Sequence, residues 1–147
     1  MADLLALFGN LTPNNHQVTS SETLNYNCVA WAAEDVYRRW WPSPNNQIHY
    51  WPSGIPRQET VDVFVRAFAK LGYVPCDSRE LENGYQKVAI YVNSAGAPTH
   101  MARQTVSGQW TSKLGRLEDI VHEGLECLEG KDYGRVFLIL KRSRQRT

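Results

Sequence analysis

The chain has 147 residues, 42% of them hydrophobic and 11% aromatic, with 16 Lys and Arg against 15 Asp and Glu. That length suits one domain with one real core, and the composition is globular rather than disordered. A net charge of +1 supplies no field for nucleic acid or an anionic membrane. Three cysteines at long spacings (Cys28, Cys76, Cys127) argue against a zinc motif or a disulfide framework.

Residues 1–24 are weakly patterned and read as an irregular arm, with a short helical turn at most over 3–8. The short apolar run there has no basic segment ahead of it, and no apolar run approaches the roughly 18 residues that a membrane span needs. The expectation is a cytoplasmic protein, or one exported without a Sec signal, with its thiols reduced. Asn25 or Asn27 can cap a helix predicted over 28–40, in which Val29, Ala32, Ala33, Val36 and Trp40 recur at helical spacing. Pro42 and Pro44 end it. A long aromatic, Pro-rich loop follows, carrying Trp41, Tyr50 and Trp51, then a second helix over 59–71 with Val61, Phe64, Val65 and Phe68 as its apolar stripe.

From residue 87 the pattern turns to strands. Three are predicted over 87–92, 99–106 and 109–114, joined by short turns as an antiparallel meander. Residues 117–128 read as helical or irregular, 133–141 as an apolar closing strand, and 141–147 as a basic tail. Helices followed by strands imply one α+β domain over 1–147: N-terminal helices on a mostly antiparallel sheet of about four strands.

Cys28 falls at the first turn of the first helix. Unpaired N–H groups and the positive dipole end favour the thiolate there, and the same donors can hold an oxyanion. His100 opens a strand and, on the face that meets the helix, can take the thiol proton. His16 and His49 sit in loops, and four histidines without paired spacing give no metal site. No cofactor motif is present.

The run Asn27-Cys28-Val-Ala-Trp-Ala resembles the nucleophile helix of NlpC-type and CHAP-type cysteine peptidases and amidases, compact relatives of papain. Lys87-Val-Ala-Ile-Tyr-Val and Thr99-His100-Met-Ala-Arg are similar to the sheet that carries their histidine, and Trp110-Thr-Ser-Lys-Leu-Gly115 to the strand after it. The resemblance implies a Cys28–His100 dyad hydrolysing an amide bond in a peptide, isopeptide or cell-wall amide, as a monomer, with a protein partner or inhibitor in play and an effector role open. Ser112, twelve residues after His100 and of the same strand parity, is the expected orienting residue, where such enzymes more often use Asn, Asp, Glu or His. Asp119 and His122 are the alternatives. Asn25 is the expected side-chain oxyanion donor, with helix capping as its other role. Asn27, Trp31, Trp51 and Trp110 are the expected substrate-cleft residues. The competing expectation is a papain-like scaffold that binds protein without catalysis.

Overall fold

The structure is a computed structural model describing residues 4–44 and 49–144. Its elements are α1 (Leu4–Leu7), β1 (His16–Ser20), α2 (Cys28–Ala32), α3 (Val61–Ala69), β2 (Val74–Cys76), β3 (Tyr85–Val92), β4 (Pro98–Gln104), β5 (Trp110–Lys113), β6 (Asp119–His122), a 3₁₀ turn (Leu125–Leu128) and β7 (Arg135–Ser143). The strands form one sheet in the order β1-β6-β5-β4-β3-β7-β2, every pairing antiparallel. The α+β class, the antiparallel meander and the closing strand between neighbours stand as expected. The sheet has seven strands rather than about four. The N-terminal arm supplies β1, residues 117–128 supply β6, and 74–76 supply β2. Lys141 and Arg142 belong to β7 rather than to a free tail, and Lys141 Nζ reaches the Glu82 carboxylate at 3.0 Å.

The first helix stops at Ala32 instead of continuing to Trp40. Asp35 causes the break, because a short acidic side chain can satisfy nearby backbone donors in place of the helical ladder. Its Oδ1 accepts from the Tyr37 N–H at 2.9 Å, and its Oδ2 accepts from Trp40 Nε1 at 2.8 Å and Arg38 Nε at 2.9 Å. Glu34 takes a positive φ of 64° just before the turn. The returning chain is tied to the helix start by Asn27. Its Oδ1 accepts from Ala30 N at 3.1 Å and Trp40 N at 3.0 Å, while Nδ2 donates to Trp40 O at 2.7 Å. α3 is shorter than expected by two residues at each end. Thr60 caps it through the Val63 N–H at 3.2 Å, and Val63, Phe64, Ala67 and Phe68 are buried.

Both faces of the sheet are covered. One core packs α2, α3, Trp40 and Trp51 on Val88, Ile90, Val92, Met101 and Leu140. The other packs Leu4, Phe8, Leu11 and the 3₁₀ turn on Ala89, Tyr91, Ala102, Trp110, Leu114 and Ile120. Strand alternation divides β3 and β4 between the two. The aromatic loop serves the first core: Trp41 and Trp51 stand 5.5 and 5.2 Å from the Phe64 ring.

Candidate functional site

β4 and β5 pair only through Arg103↔Thr111 and Gln104↔Trp110, then part. α2 lies at this split. Trp31 Nε1 donates to Thr111 Oγ1 at 3.1 Å, and the freed Met101 N–H is directed at the Cys28 sulfur. Cys28 is 7% exposed. Burial pushes its thiol up from the ordinary range, against the smaller opposing pull of the Met101, Val29 and Cys28 N–H groups and the Lys113 ammonium. The expected low thiol pKa is therefore reversed. A five-residue helix has little dipole, and loss of water outweighs it. Lys113, itself buried, donates from Nζ to Gly115 O at 2.8 Å and to Leu117 O, with Tyr26 facing it at 5.7 Å.

His100 pairs with Tyr91 across β3 and so projects with Tyr91 and Ala102 into the second core. The face expected to meet the helix is Met101's instead. No hydrogen bond joins Cys28 to His100, whose Nδ1 is buried without a partner. The Tyr133 ring lies flat on the imidazole, centroids 4.0 Å apart at 9°, and Tyr91 meets its edge at 5.1 Å. Burial, then the Cys28 charge, raise the Tyr133 hydroxyl. Gly134 holds Tyr133 there. It exchanges two 2.8 Å backbone bonds with Gly130, has a φ of 77°, and sits where a Cβ would lie 1.9 Å from Val92 O.

Ser112 meets His100 as strand parity predicts. His100 Nε2 and Ser112 Oγ are 3.0 Å apart, and Ser112 Oγ is 2.8 Å from His122 Nε2. His122 Nδ1 is 2.9 Å from Gly124 O. All three side chains are fully buried. Burial holds His100 well below the usual imidazole range and takes His122 down to about 4, so both are neutral at pH 7. One fixed acceptor then sets every proton. His122 Nδ1–H donates to Gly124 O, leaving Nε2 to accept from Ser112 Oγ–H. Ser112 Oγ in turn accepts from His100 Nε2–H. The His100 lone pair is left on Nδ1, the nitrogen without a partner.

The structure separates the two alternatives for the third residue. His122 joins the chain through Ser112. Asp119 lies on the other face, where its Oδ2 accepts from Ser20 Oγ and Tyr26 OH at 2.5 Å each. Asn25 is exposed, with its N–H donating to Thr23 Oγ1 at 3.2 Å, and is not brought to the sulfur. Asn27 is the α2 cap. Trp51 is core, with Nε1 on Pro56 O at 3.0 Å, and Trp110 is core on the second face. Trp31 alone of the four cleft residues lines an open groove, of about 420 Å³, beside Tyr26, Arg103, Thr111 and Asp119. Tyr133 and Lys113 escaped sequence reasoning. Nothing in a lone Tyr ahead of Gly134, or in a Lys that ends a short polar strand, points to a histidine or a thiol until the strands are placed.

Among the described residues no three His, Cys, Asp or Glu side chains gather to hold a metal ion, and no helix is long and apolar enough to cross a membrane. A family model described as a domain of unknown function (DUF7689) matches residues 17–141, from β1 into β7, and the chain belongs to that family. No curated protein and no solved structure matches it.

Proposed function

We propose that the protein is a papain-like cysteine hydrolase of amide bonds, with Cys28 as nucleophile, His100 as base, and Ser112 backed by His122 as the orienting pair. One observation carries this reading. A fully buried imidazole has its proton fixed on Nε2 and an unpartnered lone pair on Nδ1, one residue along β4 from the N–H that holds the sulfur. A buried polar atom without a partner costs about 1–3 kcal/mol and calls for a reason other than packing. A waiting proton acceptor is such a reason.

In this reading the resting pair is neutral, since burial disfavours both thiolate and imidazolium. The thiol turns from the Met101 N–H toward Nδ1. As sulfur bonds to the carbonyl carbon, its proton passes to Nδ1 and then to the leaving amine, whose C–N bond breaks. Water attacks the resulting thioester, giving its proton to Nδ1, and the acid departs as the thiol is restored. The Lys113 ammonium steadies negative charge on sulfur during the transfer. The Trp31 groove, on the side of the split where α2 lies, suits the substrate chain, a peptide or other amide.

A second reading, a binding scaffold without catalysis, is favoured by the near-complete burial of Cys28 and the absence of a bond from it to His100. p-Nitrophenyl acetate separates the two. The hydrolase gives a burst of nitrophenolate and an acetyl group on Cys28 by peptide mass spectrometry, both lost in His100→Ala. No adduct on Cys28, or an undiminished one in His100→Ala, leaves the scaffold reading.

A further inference from the structure

Beside the C-terminal end of α2, three guanidinium groups surround one carboxylate. Arg142 Nη2 is 2.8 Å from Glu34 Oε1, and Arg103 Nη1 is 3.3 Å from Glu34 Oε2. Arg144 takes no ion-pair or hydrogen-bond partner for its side chain among the described residues, yet lines the same space. That space is a cavity of about 540 Å³, walled by Glu34, Gln86, Arg142 and Arg144. An adjoining hollow of about 290 Å³ shares Glu34, Gln86 and Arg144 and adds Arg103 and Gln104. Three positive charges against one negative leave two uncompensated.

The cluster rests on a buried aromatic ring and on the end of α2. The Tyr73 hydroxyl is buried without a partner, under the Arg142 guanidinium, which stands 4.7 Å over its ring. Glu34 stands at the left-handed position that closes α2, with its N–H donating to Trp31 O at 3.1 Å and the next N–H, of Asp35, donating to Ala30 O at 2.8 Å, which turns its carboxylate out between Arg103 and Arg142.

We propose that this cavity binds the phosphate of a small phosphorylated ligand. Guanidinium forks match phosphate oxygens in pairs, and a phosphate monoester near neutral pH carries about the two charges left over. The volume lies in the range of small-ligand sites. Nucleic acid offers the same group, but an overall charge of +1 and a walled cavity favour one phosphate over a strand.

Calorimetric titration at constant ionic strength tests the site with inorganic phosphate, ribose 5-phosphate and a short single-stranded oligonucleotide. Both phosphates bind the wild type, the sugar phosphate more tightly. Arg144→Gln, whose guanidinium holds no protein partner, unfolds at the wild-type temperature without ligand and weakens phosphate about tenfold. Glu34→Gln removes the opposing charge and tightens it about five- to tenfold. Absence of phosphate binding, or equal binding by wild type and Arg144→Gln, overturns the proposal. So does tighter binding of the oligonucleotide than of ribose 5-phosphate, which would make this a nucleic-acid surface.

Discussion

His122 ends the buried chain that begins at His100, and its ionisation is coupled to folding. Burial lowers its pKa from 6.5 to about 4, so in acid the unfolded chain takes up the proton first. Stability from this group is full above pH 6.5 and is lost as pH falls toward about 4, a change of about 3 kcal/mol. His100, held down by the same burial, adds to the loss in the same direction. Urea unfolding between pH 7 and 4 should show this decline, and His122→Gln, which removes the titration, should make it shallower by about one proton. Ser112 stands between both rings. Ser112→Ala leaves two buried ring nitrogens unpaired and should cost about 2–6 kcal/mol in the same assay, at about 1–3 for each group stranded. The Ser112 contact was legible because twelve residues across a hairpin preserve parity. The side of the sheet on which His100 stands was not. β3 is apolar on both faces, Val88 and Ile90 toward α2, Ala89 and Tyr91 away, so alternation carries no sign of which face a helix covers.

At the scale of elements, α2 shows how one side chain can outweigh helical spacing. Residues 28–40 have the apolar rhythm of three helical turns, but that rhythm survives only over Cys28–Ala32. Val36, on the predicted apolar stripe, is exposed. Asp35 captures the chain, and Asn27 fastens the returning Trp40 to the helix start. Competition between side-chain and backbone acceptors leaves no trace in hydrophobic periodicity, so the true end was hidden. Asn27 thus does more than cap. Asn27→Ala removes three hydrogen bonds and should cost about 2 kcal/mol, the upper end for N-cap loss, measured by denaturant midpoint. Asn27→Ala should also displace Trp40 from its packing on Phe68, 6.1 Å between ring centres, visible as a shift in tryptophan fluorescence. A residue serving only the substrate would leave both readings unchanged.

For the molecule as a whole, the long central strands were legible and the short outer ones were not. β3 and β7 are long and rich in Val, Ile and Leu, and declare themselves. β1 is half-exposed or exposed along its length, and β2 has three residues with Pro75 at its centre. Such segments become strands because a neighbour offers its free edge, which only the assembled sheet reveals. β2, short and interrupted by proline, closes one border against further pairing. At the opposite border β1 acts as a selvedge, His16–Ser20 stitched along Asp119–His122. Trimming β1 leaves β6 with a row of bare amides and carbonyls, and takes Ser20 from Asp119. A shortened chain should then zip to a second copy of itself along that border, and sedimentation should find a larger share of dimer than in the intact chain.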